Sequence, residues 1–351
     1  MSEETRMGYQ PALDGLRALS VIAVILYHAG VHWIPGGFIG VEVFFVVSGF
    51  LITSLLVDEQ HVSGKVSLKQ FWIRRARRLL PALFTMLIAA LVAVTFFAKD
   101  SAPDFRRDVG PALGYFSNWW QIYFVDTPYF AANSLPMLRH LWSLAVEEQW
   151  YVLWPIAFVF VLGNKRIPRW ISAVVIGLLS AGVMVGTALA FIADDETRIN
   201  FLYLSTLTRS SGLLLGAALA CVWRPWKKVA TKFAKARSVF SDVLALGAFT
   251  TLGYISAFVH VADERLYLGG LAAATFASAV IIAVVVRSGS SLVKEVLSIP
   301  LLVEIGRRSY GLYLWHWPIF VVAGARLSPI RLAYALTATV IVNEFVYQFI
   351  E

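Results

Sequence analysis

Apolar runs near the length a bilayer demands recur along the whole chain, and they leave few folds open. They fall at about 15–32, 38–57, 79–98, 109–125, 139–162, 170–193, 203–223, 241–261, 267–286, 308–324 and 329–350. Each is near the ~20 residues that carry a helix through the hydrocarbon core. The run 109–125 is the weakest, because Gly110, Pro111, Asn118 and Gln121 interrupt it. It is expected to be a re-entrant or surface helix, which leaves ten spans. Composition supports the same class: 58% of residues are hydrophobic and 15% charged, against roughly 45–50% and about 25% in soluble domains. A soluble fold of this content would expose a large apolar surface, and disorder is excluded. The expectation is one all-α domain over 1–351, a polytopic membrane helix bundle of about ten transmembrane helices.

Charge orients the bundle. With the N-terminus in the cytoplasm, 21 of the 30 Lys and Arg fall on inner segments, including Lys65–Arg78, Lys165–Arg169 and Arg224–Arg237. The acidic run Asp194-Asp195-Glu196 falls outside. This split satisfies the positive-inside rule and accounts for the net charge of +8 without nucleic acid. Met1–Asp14 is polar and no small-residue cleavage site follows the first apolar run, so that run is expected to stay as a transmembrane helix. The single cysteine, Cys221, excludes a disulfide framework and a cysteine-based zinc site. The six histidines are scattered without an H-E-x-x-H spacing, so no metal is expected.

Ionisable residues inside spans are costly and point to function. Arg17 and His28 are eleven residues apart, about three helical turns, so they share one face roughly 16 Å apart along the axis. Asp14 opens the same segment. Gly36 and Gly40 have a small-xxx-small spacing that suits close packing, and Glu42 follows them. Arg74-Arg75-Ala76-Arg77-Arg78 offers two i,i+3 pairs, and arginine forks suit phosphate groups. In His140-Leu141-Trp142-Ser143-Leu144-Ala145-Val146-Glu147-Glu148, His140, Ser143 and Glu147 share a helix face. No G-x-S-x-G elbow surrounds Ser143, so these residues read better as a polar pocket wall than as a serine nucleophile. Tyr313 and His316, in the aromatic run before Pro318, and Arg209, beside Gly212 and Gly216, add further polar groups to apolar segments.

These motifs, in this order, resemble the acyltransferase 3 family of integral membrane O-acyltransferases, the group of the bacterial O-antigen and exopolysaccharide acetylases. The resemblance runs along essentially the whole chain: Leu13-Asp14-Gly15-Leu16-Arg17 with His28, Gly37-Phe38-Ile39-Gly40-Val41 to Ser48-Gly49-Phe50, the arginine run before Leu79-Leu80-Pro81, Trp142 to Gln149, and Ser309-Tyr310 to His316-Trp317-Pro318. It implies ten helices, acyl-CoA as the acyl donor, and a cell-envelope glycan or glycolipid as the acceptor, in the plasma membrane. It implies that Arg17 and His28 match the family's arginine–histidine pair. Arg75 and Arg78 match its RxxR motif, although Arg74 and Arg77 have the same spacing. Glu42 stands where the family usually has Asp. Relatives usually continue past the position of Glu351, sometimes into an extracytoplasmic hydrolase-like domain, so the chain is expected to stop short of such an extension.

The expected chemistry is transmembrane acyl transfer, most readily of an acetyl group, with a succinyl or other short acyl group as the alternative. Cytoplasmic acyl-CoA sets its phosphates against Arg75 and Arg78, helped by Arg17. His28 acts as general base, with a covalent acyl-histidine as the alternative. Glu147 or Glu42 orients His28 or holds the acceptor. Asp14, His140, Trp142, Ser143, Glu148, Arg209, Tyr313 and His316 complete the expected substrate wall. The competing classes are a glycan or lipid transporter, which needs no CoA, and a sensor or scaffold, in which His28 is dispensable.

Overall fold

Helices supply every regular element among the residues that the computed structural model describes, which are 7–125, 127, 129, 135–162, 167–223, 234–287, 289 and 291–350. In chain order they are α1 (Pro11–His28), α2 (Gly40–Ser63), α3 (Leu68–Phe96), α4 (Ala102–Leu113), α5 (Ser117–Tyr123), α6 (Leu141–Ala157), α7 (Arg169–Ala190) and α8 (Glu196–Leu204). There follow α9 (Thr206–Val222), α10 (Ala234–Phe258), α11 (Leu271–Val285), α12 (Leu292–Leu297), α13 (Pro300–Arg307), α14 (Ser309–Ala323) and α15 (Pro329–Phe349). Eight helical segments among the described residues are long and apolar enough to cross a membrane. The protein is therefore a polytopic helical membrane protein. Of the basic residues counted above, Arg6, Lys165, Arg166 and the run from Arg224 to Lys232 lie outside the described residues.

Two expected spans fall short of membrane length. α6 has 17 residues before a wider turn at Phe158–Leu162, and α14 has 15. Most residues of both are buried, so protein rather than lipid surrounds them. Each contains a proline, which removes one backbone donor and leaves the carbonyl four residues earlier without its helical partner. Inside a membrane that carbonyl needs another donor. Pro155 leaves the Tyr151 carbonyl, and the Trp72 indole N–H donates to it at 3.0 Å. Pro318 leaves the Leu314 carbonyl, and His140 Nε2–H donates to it at 3.1 Å. These two bonds tie α6 to α3 and α14 to the start of α6.

The weak run 109–125 is not one helix. α4 and α5 form a hairpin that turns at Gly114–Phe116. The turn reaches a cavity lined by Trp72, Arg75 and Leu79, while Asp100 and Asp104, at the other end of the hairpin, line a cavity beside His28. The hairpin therefore runs along the bundle between the two cavities. Its exposed turn backbone is satisfied from α6: Gln149 Nε2 donates to the Tyr115 carbonyl at 2.8 Å and to Asn118 Oδ1 at 3.0 Å.

α2 ends at Gly64, whose φ of 73° is left-handed, and Ser67 caps α3 by accepting from the Gln70 N–H. This early start, eleven residues before the apolar run begins, puts all four arginines of the run inside α3. α2 and α9 touch backbone to backbone. A Cβ on Gly49 would lie 2.0 Å from the Leu213 carbonyl oxygen, and one on Gly216 2.1 Å from that of Val46. The Gly36 and Gly40 spacing serves packing as well, against α10 and α1. Gly49→Val is expected to push α2 from α9 and cost about 1–3 kcal/mol, as overpacking does. Thermal unfolding in detergent measures it, and an unchanged midpoint would contradict this packing.

Candidate active site

α1 runs between two cavities. Arg17 lies in its second turn and His28 is its last residue, roughly 16 Å away along the axis. The face they share meets a different cavity at each end.

At the Arg17 end is a cavity of about 110 Å³ between α1, α2, α3, α6 and α14. Arg17, Arg75 and Arg78 line it together with Ser48, Glu147 and Tyr151. The Arg75 guanidinium stacks 4.6 Å over the Tyr151 ring. Glu147 accepts a hydrogen bond from the Ser48 hydroxyl at 2.6 Å, and Ser48 lies 2.9 Å from Tyr151 Oη. Arg17 pairs with Asp14 at 3.0 Å, so Asp14 holds Arg17 rather than facing the cavity, and Tyr9 Oη–H donates to the same carboxylate at 2.8 Å. The two arginine registers separate here. Arg74 turns away to Glu59 at 3.4 Å and Arg77 is not in the cavity wall, while Arg75 and Arg78 line it. Glu148 lines both this cavity and the adjoining one between α3 and α6.

At the cavity's far wall Ser143 Oγ and Tyr313 Oη are 2.5 Å apart, and the Tyr313 hydroxyl donates to the His140 carbonyl at 2.9 Å. Beyond them lie the histidines. The His316 ring is 5.5 Å from Tyr313, 5.7 Å from His140 and 5.0 Å from His28, nearly parallel to the last. His28 Nδ1 is 2.8 Å from His316 Nε2, and His316 Nδ1 is 3.1 Å from the Leu312 carbonyl oxygen.

His28 opens on the second cavity, with Asp100, Asp104, Trp317 and Arg326 in its wall. Arg326 Nε donates to the His28 carbonyl at 2.9 Å and its guanidinium lies over Trp317. Arg139 lies over Trp317 from another side and over Tyr129. Arg107 joins Asp104 and Asp108 at 3.0 and 2.7 Å.

The geometry places several of the expected site residues in other surroundings. Neither Glu147 nor Glu42, the two carboxylates expected to orient His28, touches it. Its partner is His316, placed by sequence in the substrate wall. Glu42 and Arg209 instead form an ion pair at 3.3 Å, each about 1% exposed. Thr275 donates to Glu42 at 2.7 Å, and the rings of Phe45, Trp142 and Tyr203 surround the guanidinium. Trp142 is buried in that aromatic group, donating to Tyr129 Oη at 3.2 Å, and lines neither cavity. His140 serves the Leu314 carbonyl. The sequence reading did not single out Ser48, Tyr151, Trp317, Arg326 or the aspartates of the hairpin. Ser48 and Trp317 stood inside quoted motifs. The others carry no local signal, because tertiary packing alone brings them to the cavities.

Together these features place a cluster of cationic forks at one end of a buried polar run and an imidazole with a water-accessible face at the other. A family model described as an acyltransferase domain matches residues 10–343. The O-acetyltransferase OatA of Staphylococcus aureus (strain NCTC 8325 / PS 47) is 38% identical over 350 residues, covering 98% of this chain and 57% of that protein. The peptidoglycan O-acetyltransferase OatA of Listeria monocytogenes serovar 1/2a is 38% identical over 349 residues, covering 98% and 55%. The chain thus spans a little over half the length of these relatives. No solved structure matches it. By the extent of the family match, from residue 10 to residue 343, the chain belongs to the acyltransferase 3 family.

Proposed function

We propose that the chain moves an acyl group, acetyl in the first instance, from cytoplasmic acyl-CoA to a hydroxyl of an envelope glycan on the other side of the plasma membrane. One observation carries this reading: the arginine cavity and the histidine cavity sit at opposite ends of α1, and Ser143, Tyr313 and His316 fill the wall between them. The relatives' names add the glycan. One of them is called a peptidoglycan O-acetyltransferase.

The arginine cavity suits the donor. Three guanidiniums in one recess can take phosphate oxygens in charge-assisted, bidentate hydrogen bonds. Glu147, with Ser48 and Tyr151, holds the recess polar between Arg17 and Arg75. The thioester then lies toward Ser143 and Tyr313, on the side of the histidines. The histidine cavity suits a sugar. The Trp317 ring offers an apolar face, and Asp100, Asp104 and Arg326 offer acceptors and donors around it.

His28 takes the proton from the attacking hydroxyl. The oxygen bonds to the thioester carbon, the C–S bond breaks, and the proton passes on to the leaving thiolate, which departs as free CoA thiol. Binding both partners in fixed geometry supplies a further share of the rate.

Arg75→Ala with Arg78→Ala is expected to raise KM for acetyl-CoA at least about tenfold with acceptor preference unchanged. A charge-assisted hydrogen bond is worth roughly 1.5–3 kcal/mol, and about 1.4 kcal/mol is tenfold. Steady-state kinetics on the purified protein in detergent measures this. An unaltered KM would leave those arginines as topology signals only. A transporter reading would instead give no thioester cleavage by the purified wild-type protein at all.

A further inference from the structure

A carbonyl oxygen fixes the tautomers of the histidine pair. The Leu312 carbonyl has no proton to give, so the contact at 3.1 Å requires His316 to carry its proton on Nδ1 and donate. A neutral His316 then has a lone pair on Nε2. That nitrogen is 2.8 Å from His28 Nδ1, so His28 must donate from Nδ1. The lone pair of His28 is left on Nε2. The opposite arrangement would aim the His316 Nδ1 lone pair at the Leu312 oxygen, lone pair against lone pair, in a pocket where both rings are buried.

We propose that His316 is a positioning residue that holds His28 in its Nδ1–H tautomer and so presents Nε2 as the basic nitrogen, a role that rests on the transfer reading above. The same bond serves the second half of the proton's passage. When Nε2 takes the proton, Nδ1–H still donates to His316, and the imidazolium charge keeps a hydrogen-bonded partner where, among the described residues, no carboxylate bonds either ring. The arrangement is a relay of orientation without a buried acid: carbonyl, imidazole, imidazole. The two rings are nearly coplanar, with a 16° angle between planes, the alignment of an in-plane N–H···N bond. Trp317, 4.8 Å from the His28 ring on a tilted approach, packs against that ring. The Leu312 carbonyl and His316 are one helical turn apart on α14, so the element that sets the tautomer is a single helix. That helix is in turn tied to α6 through His140 and the Leu314 carbonyl.

The test compares His316→Leu, His316→Gln and His28→Ala in the purified, reconstituted protein, with acetyl-CoA as donor. Orienting groups that fix a catalytic tautomer are worth orders of magnitude. His316→Leu is therefore expected to lower kcat about 10²-fold or more with KM for acetyl-CoA unchanged. His316→Gln, whose amide oxygen can accept from His28 Nδ1–H, is expected to recover at least about tenfold of that loss, which a merely structural role would not give. Nitrogen NMR of histidine-labelled wild-type protein gives an independent readout that needs no variant to fold: His28 Nε2 is expected as the unprotonated nitrogen. A His28 protonated on Nε2, or wild-type kcat in His316→Leu, would overturn the proposal. If His28→Ala is inactive while His316→Leu is not, the positioning role alone fails. If His28→Ala retains turnover, the transfer reading fails with it.

Discussion

Replacing His28 with alanine is expected to lower acyl transfer by about 10²–10⁴-fold, the share a positioned general base contributes, while leaving the protein folded and able to bind acetyl-CoA. The separation is possible because alanine keeps the His28 carbonyl to which Arg326 donates, and the side-chain bond it loses, to His316, lies outside the arginine cavity. The arginine cavity is three helical turns away and does not include His28. Acetyl transfer and acetyl-CoA binding, measured on the same purified sample, check both halves. Wild-type turnover in the variant would remove the mechanism, and loss of CoA binding with it would point to misfolding instead.

Arg209→Leu is expected to be the most damaging single change to stability. Arg209 and Glu42 are both almost fully buried, and removing one partner strands the other charge in an apolar interior. That typically costs about 3–5 kcal/mol. Leucine at position 209 also surrenders the aromatic faces of Phe45, Trp142 and Tyr203 that now meet the guanidinium, and cation–π contacts are worth up to about 2 kcal/mol when desolvated. The double variant Glu42→Gln with Arg209→Leu should regain much of the loss, because no uncompensated charge is left. Thermal unfolding of the three proteins in detergent decides it. A single variant as stable as wild type would mean that the pair is not buried as described.

Much of this was legible along the chain. Helical spacing placed Arg17 and His28 on one face, and the RxxR spacing offered two registers, of which Arg75 and Arg78 are the pair that lines the cavity. The weak run 109–125 is interrupted as its composition suggested, but the turn falls at Gly114–Phe116, past Gly110 and Pro111, which lie inside α4. Legibility ends where a relationship crosses between helices. His28 and His316 are 288 residues apart, and nothing in either segment names the other. The same holds for Glu42 and Arg209, which read as pocket residues because a lone buried charge suggests function, whereas in the fold they form an ion pair with one another. Pro318 did imply an orphaned carbonyl at Leu314. That His140 supplies the donor depends on how α6 meets α14, which periodicity does not encode. The apolar run 79–98 covers only part of α3, whose first turns are polar. Hydropathy marks where lipid begins, while the cap at Ser67 marks where the helix does.

The central claim is that donor and acceptor meet from opposite sides of the membrane, and sidedness tests it most directly. The protein would be reconstituted into vesicles with its arginine cavity facing outward, as verified by labelling, with a peptidoglycan glycan fragment sealed inside. Radiolabelled acetyl-CoA added outside is expected to give acetylated glycan inside the vesicles, and none when His28 is alanine. Label that reaches only glycan on the same side as the acetyl-CoA, with none inside, would contradict the account.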